Sequence, residues 1–347
     1  MTQRPILLGI VGDSASGKTT ITKGLTQLLG PERVSHVCTD DYHKYDRQER
    51  ARLHITPLHP DCNFLDILEL HLERAHYGQP MLKPVYDHST GSLVRPEYVQ
   101  PREFVIVEGL HGFHTATMRQ FYDVKVYLDP PEDLRSVWKI KRDTTKRGYT
   151  AEQVRAELVR RESDSQEFIC PQREFADIVV RFSPDPGVPP EEADGCLNVR
   201  LVLRPTIPHP DLSYLFDPAH GAEGGVRMQL GRDCGRPVDF LYVDGCVTRE
   251  QSTKLEDAIW QHLPDLRPLR SDQFGDYNDR NEVRHSDPLA ITQLLLTYHL
   301  LRVHSSDKPM TFASPVAALS RLKSDPLKPD PLKPDPQMAP VGSVKED

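Results

Sequence analysis

Gly12-Asp13-Ser14-Ala15-Ser16-Gly17-Lys18-Thr19 fits the pattern G-x-x-x-x-G-K-[ST]. It stands between an unbroken apolar run, Ile6–Val11, and a helical stretch, Lys18–Leu29. A short apolar run that ends in a glycine loop reads as a strand buried on both faces, which a parallel sheet covered by helices provides. The glycines let backbone N–H groups turn inward on phosphate oxygens, and the start of the helix favours negative charge. Lys18 would reach the β- and γ-phosphates of ATP, and the Thr19 hydroxyl would sit on Mg²⁺. Gly12, Asp13, Ser14, Ala15, Ser16, Gly17, Lys18, Thr19 and Thr20 are therefore the predicted nucleotide-binding residues.

The rest of the first half alternates in the same way. Strands are predicted at 34–38, 104–107, 124–128 and 177–182, with helices at 131–147 and 151–163, so the fold class is α/β with a mostly parallel, helix-flanked sheet of the P-loop type. After Ser183 the texture changes. Residues 183–193 are rich in Pro, Asp and Glu and read as a linker or surface loop. Strands at 197–203, 226–230 and 239–243 and helices at 250–263 and 288–303 predict an antiparallel and helical extension. Past Lys323 the repeated Asp-Pro-Leu-Lys-Pro forbids a helix interior or a central strand, which predicts a disordered, partly polyproline tail. The expected organisation is a kinase core at 1–183, an extension at 184–322 and a tail at 323–347.

With 43 Lys+Arg against 51 Asp+Glu the net charge is −8. That argues against a nucleic-acid or anionic-membrane partner held by bulk charge, but not against a local site for an anionic metabolite. No apolar run reaches the roughly 18 residues that a spanning helix needs. The six cysteines make neither a CxxC pair nor a zinc spacing, so they read as buried or incidental thiols. A soluble, cytoplasmic protein is expected.

Three further features bear on chemistry. Glu108 ends the apolar strand at 104–107, where an acid can meet Mg²⁺ beside a phosphate loop. Asp40 follows the second strand, at the sheet edge where open α/β folds place their sites, and could take a proton from an acceptor hydroxyl. Asp40 and Asp41 could equally cap a loop, and spacing alone leaves both readings open. On the helix at 131–147, Lys139, Arg142, Asp143, Lys146 and Arg147 fall within an arc of about 140° at 100° per residue, opposite Leu134, Val137, Trp138 and Ile140. Such a face could clamp phosphates, or could simply be solvated and complement the helix C-terminus.

Taken in order, these motifs resemble the phosphoribulokinase family. The resemblance is carried by the phosphate loop, Asp40-Asp41-Tyr42-His43 with Arg47, and the run Lys83-Pro84-Val85-Tyr86-Asp87-His88-Ser89-Thr90-Gly91. It continues through Glu108-Gly109-Leu110-His111, Trp138-Lys139-Ile140-Lys141-Arg142-Asp143 with Arg147-Gly148, Phe168-Ile169-Cys170-Pro171-Gln172, and Ala176-Asp177. It is similar to the dimeric form of photosynthetic organisms more than to the octameric bacterial form, which implies a homodimer. The resemblance implies Mg-ATP-dependent phosphorylation of ribulose 5-phosphate at its 1-hydroxyl, a step of the Calvin cycle. It further implies Asp40 as base, His43, Arg47, Tyr86 and His88 around the sugar phosphate, Lys139, Arg142 and Arg147 at the phosphate-rich centre, and Asp143 holding that cluster.

Departures accompany the match. Plant-type members carry a phosphate-loop cysteine that pairs with one after the second strand. Here those positions hold Ser16 and Cys38, and near Cys234 the second pair is incomplete at Leu230, so that thioredoxin-type switch is not expected. Phe64 stands where Asn or Asp is usual, Glu162-Ser163 replaces a pair ending in proline, and Gly112 replaces a proline. A related kinase for uridine or another sugar phosphate, and a nucleotide-binding protein without turnover, remain open at this point.

Overall fold

The order of the strands brings the phosphate loop beside both acids. The computed structural model describes residues 4–193, 195–212, 225–263, 274–279 and 282–306. Its strands are β1 (Ile6–Val11), β2 (Val34–Cys38), β3 (Met81–Asp87), β4 (Ser92–Val99), β5 (Phe104–Gly109), β6 (Val124–Leu128), β7 (Ile178–Ser183), β8 (Asn198–Leu203), β9 (Val226–Asp233), β10 (Arg236–Val243), β11 (Asp276–Asp279) and β12 (Glu282–His285). Its α-helices are α1 (Lys18–Leu29), α2 (Arg47–Leu53), α3 (Leu65–His76), α4 (Ala116–Gln120), α5 (Glu132–Lys146), α6 (Ala151–Asp164), α7 (Arg249–Gln261) and α8 (Asp287–Ser306). The main sheet runs β2-β5-β1-β6-β7-β8-β10-β9, with the first five strands parallel and the last three added antiparallel.

β1 shows why the pattern is continuous rather than alternating. Ile6, Leu8 and Ile10 enter the core beneath α1, α7 and α8, while Leu7 and Val11 enter the core on the opposite face with residues of α3 and α4. A strand covered on both faces has no polar side. Gly9 lies on the second face, where a Cβ would meet the rings of Phe113 and Tyr122, so the sheet and its cover approach closely there.

The predicted strands and helices of the first half are present, with ends shifted by one or two residues. The hairpin β3–β4 is the main addition. Pro84 interrupts its ladder, with a register shift between Lys83 and Val85, and most of β4 is exposed, so neither strand carries an apolar periodicity. Both β9 and β10 are longer than predicted, because their polar outer ends continue the ladder.

β8 pairs antiparallel with β7. Residues on both sides of the boundary at 183/184 thus share one sheet and one core, in which Ile21 and Leu25 of α1 lie with Leu255 and Ile259 of α7 and Ile291, Leu294 and Leu295 of α8. The predicted tail at 323–347 lies outside the described residues. Among the described residues no helix is long and apolar enough to cross a membrane.

The α1–α8 contact is tight at Gly24, where an added Cβ would collide with the buried side chain of Gln293. Gln293 donates to the Thr20 carbonyl (3.3 Å) and accepts from the Gly275 amide (2.8 Å). Gly24→Ala should therefore lower stability by about 1–3 kcal/mol through overpacking, although alanine is the better helix former. Urea unfolding measures this, and a midpoint that is unchanged or higher would show that the two helices are not packed at this position.

Candidate active site

At the carboxyl ends of three adjacent parallel strands, Ile10 lies abreast of Glu108 and Glu108 abreast of Cys38. The chain leaves β1 into the phosphate loop and leaves β2 into the turn that carries Asp40. The register alone therefore gathers the loop, Glu108 and Asp40 at one edge, where open α/β sheets bind ligands.

Backbone conformation shapes the loop. Ala15 (φ 67°) and Gly17 (φ 97°) are both left-handed, which turns successive N–H groups to one side. Ala15 pays for this in Cβ strain that glycine would not feel. The Asp13 carboxylate is engaged within the protein: it accepts from the Ser14 amide and the Ser165 hydroxyl and lies 3.5 Å from Arg135. Ser16 Oγ is buried and has no hydrogen-bond partner, a polar atom left for a ligand at the base of the loop. Lys18 Nζ donates to the carbonyls of Gly12 and Asp13 (both 2.7 Å). Burial lowers the Lys18 ammonium below its ordinary value, against the raising fields of Asp40, Glu108 and Asp13. The Thr20 carbonyl is held by α8, as described above.

Thr19 Oγ1 lies 3.4 and 3.5 Å from the two carboxylate oxygens of Glu108, and His36 Nε2 lies 3.2 Å from Oε1. A hydroxyl and a carboxylate this close are hard oxygen donors of the kind that Mg²⁺ prefers, and Thr19 and Glu108 would hold that ion. The residues present fit that ion.

Asp40 is fixed from behind. Thr39 packs against Gly109 (φ 152°), where a Cβ would run into the threonine side chain, and Thr39 Oγ1 accepts from the Leu110 amide at 2.9 Å. Oδ1 of Asp40 is buried without a hydrogen-bond partner. Burial raises the Asp40 carboxyl, but His43, Lys18, His88 and Arg147 outweigh it and hold the group below its ordinary value. It is thus an ionised acceptor with one oxygen uncommitted. Asp41 plays a different part: its carboxylate holds Lys83 Nζ (2.5 Å) and the Tyr86 amide (2.9 Å), which ties the β3–β4 hairpin to the site.

The aromatic and imidazole residues predicted for the sugar stand together. His43 meets Tyr86 edge to face at 4.9 Å, and Tyr86 meets His88 at 5.2 Å. Burial pushes His43 down to about 4, so it is neutral at neutral pH, and its Nδ1 faces Asn63 Oδ1 at 2.7 Å. The polar neighbour that matters is therefore Asn63 rather than the adjacent Phe64, whose ring instead lies under Lys44. Arg47 donates to the His88 carbonyl (2.7 Å) and lies over the ring of Tyr149 (5.8 Å), two residues along the chain from Arg147.

α5 buries charged side chains that hydropathy would leave in water. Arg135, Lys139 and Asp143 are buried, as is Leu134, whereas Val137, Trp138 and Ile140 are half-exposed. Asp143 gathers Lys139 (3.1 Å), Arg142 (2.8 Å) and Arg147 (3.6 Å), and Arg142 also reaches Ser14 Oγ (3.2 Å). Lys146, on the same predicted arc, is exposed and outside the cluster. Sequence reasoning missed Arg135, whose Nη1 donates to the Ser14 carbonyl at 3.1 Å; its place four residues before Lys139, one turn away on the same face, is the signal that could have found it.

The geometry has counterparts among known proteins. A model of the phosphoribulokinase / uridine kinase family matches residues 7–189. The phosphoribulokinase of Synechocystis sp. is 36% identical over 256 residues, covering 70% of this chain and 77% of that protein. A uridine kinase of Chloroflexus aurantiacus is 32% identical over 185 residues, covering 52% of this chain and 88% of that protein. The solved phosphoribulokinase from Rhodobacter spheroides shares the fold, with a TM-score of 0.55 at 21% identity over 77% of this chain and 97% of that one. Since the matched segment takes in the phosphate loop, both acids and the cationic helix, the chain belongs to the phosphoribulokinase/uridine kinase family.

Proposed function

We propose that the chain catalyses the phosphoribulokinase reaction: transfer of the γ-phosphoryl group of ATP to the 1-hydroxyl of D-ribulose 5-phosphate, giving ribulose 1,5-bisphosphate and ADP. The observation that carries this reading is the second set of cationic and hydrogen-bonding groups around Asp40. His88, Arg47 and Arg147 stand beyond the phosphate loop, where an acceptor that already bears a phosphate would need them. A neutral nucleoside would leave these groups without a task. The longer match to the phosphoribulokinase than to the uridine kinase supports the same choice.

In this reading the loop from Gly12 to Thr20 binds the nucleotide, and Lys18 follows the charge on the transferred group. Thr19 and Glu108 would hold Mg²⁺, which neutralises charge shared by the β- and γ-phosphates. Asp40 Oδ1 accepts the proton of the attacking hydroxyl. A carboxylate held ionised is adequate for this, because the transition state is loose and the proton leaves late. His43, Tyr86 and His88 line the sugar, Arg47 and Arg147 take its phosphate, and Lys139 and Arg142 are kept in place by Asp143.

Asp40→Asn should lower kcat by about 10²–10⁴-fold while the KM for ATP stays within a few-fold. ADP release with ribulose 5-phosphate and with uridine as acceptors checks both points. Higher kcat/KM on uridine would overturn the acceptor, and equal rates for Asp40→Asn and the parent protein would overturn the base.

Lys139 provides a pH test. Burial, with Arg161, lowers its ammonium to about 8 despite Asp143. It is therefore charged below about pH 8 and neutral above, and kcat/KM should fall as pH rises through that value. Lys139→Arg keeps its charge and should move the alkaline limb upward by more than one pH unit; an unmoved limb would mean that another group titrates.

We further propose a homodimer. β9 is the outer strand of the main sheet and carries Leu230 at 82% exposure, an edge that a second copy could cover. Equilibrium sedimentation should give twice the chain mass, and a monomer at micromolar concentration would exclude this.

A further inference from the structure

Two thiols outside the active site lie in contact. Cys196, in the turn before β8, and Cys246, between β10 and α7, are both exposed, and their sulfurs are 3.2 Å apart although 50 residues separate them in the chain. The segments that carry them are held together independently. A Cβ on Gly245 would strike the backbone of Cys196 and Leu197 at 2.8 Å, and the Gly245 amide donates to Asn198 Oδ1 at 2.7 Å. The sulfurs stand at 3.2 Å, about 1.2 Å from a bond of about 2.05 Å.

Cys246 also lines an open cleft of about 740 Å³. In the sheet register Arg181 lies opposite Arg200, Arg200 opposite Tyr242, and Tyr242 opposite Arg227, so three arginines in one row line that cleft. Arg181 is neutralised by Asp129 (3.3 Å), and Arg227 lies 3.7 Å from Asp244. Arg200 has a buried Nε without a hydrogen-bond partner. Its guanidinium lies over the Phe240 ring at 5.6 Å, and Asp185 and Asp244 also line the cleft, so what the cleft offers a small disulfide is room beside Cys246.

We propose that Cys196 and Cys246 are a reversible modification site that forms an intramolecular disulfide by exchange with a low-molecular-weight disulfide. The thiolate of one cysteine attacks a sulfur of the oxidant and expels one thiol. The thiolate of the other then attacks the resulting mixed disulfide and expels the second thiol. Two electrons and two protons pass to the oxidant, which leaves as two thiols. The pair is separate from Ser16, Cys38 and Cys234. Because the bond would close a loop of some 50 residues and pin the start of β8 to the turn before α7, the oxidised protein should be the more heat-stable form.

The probe is glutathione disulfide. After incubation of the folded, full-length protein, non-reducing peptide mapping should recover Cys196 linked to Cys246, with two thiols lost and regained on reduction. Cys196→Ser and Cys246→Ser should each instead retain one glutathionyl group on the remaining cysteine. The parent protein should gain several degrees in Tm on oxidation, and neither variant should. Both thiols remaining free in the folded parent protein, or a crosslink made through any other cysteine, would overturn the proposal.

Discussion

Glu108 lies abreast of Ile10 on one side and Cys38 on the other, and the rest of the site depends on that register. Parallel pairing makes the three strands end at one edge. The residues that follow each strand, the phosphate loop and Asp40, therefore converge without any long loop to position them. The two-sided cover that a parallel sheet requires makes this edge rigid, since Leu7, Leu8 and Ile10 are all fully buried. Thr39 against Gly109 carries the same precision one residue further, to Asp40.

A rigid edge is useful only if it can hold charge out of water, and α5 shows how this is arranged. Burying Lys139 unpaired would lower its ammonium further than the present value of about 8. Asp143 offsets part of that, and the carboxyl is itself held near 2: burial raises it, but Arg142 and Lys139 outweigh burial. One carboxylate facing three cations leaves an excess of positive charge directed at the loop. Removing the acid would expose the cations to one another, so any part Asp143 has in the site would be felt through Lys139, Arg142 and Arg147.

The sequence is legible where one residue type serves one requirement. The phosphate loop is readable because only glycines and a short side chain tolerate its turns, and the parallel strands because burial on both faces leaves no polar residue. Helical period placed Lys139, Arg142 and Asp143 on one face, but it could not tell that this face is buried, since charge ordinarily faces solvent. The β3–β4 hairpin escaped notice because Pro84 breaks its ladder and Leu82, Leu93 and Tyr98 are exposed, so no alternation marks an inside. The contact of Cys196 with Cys246 is set by antiparallel register 50 residues apart, which spacing along a chain does not encode.

The extension after Ser183 is best understood through what it does to α1. The phosphate loop sits at the N-terminus of that helix, and any rocking of α1 would move Lys18 and Thr19. α8 packs along α1, with Gln293 reaching the Thr20 carbonyl, one residue beyond the proposed metal ligand. Those contacts are affordable only because β8, β10 and β9 extend the sheet and carry α7 and α8 onto the same core. The antiparallel strands therefore act on the site at second hand, by holding fixed the helix from which Lys18 projects.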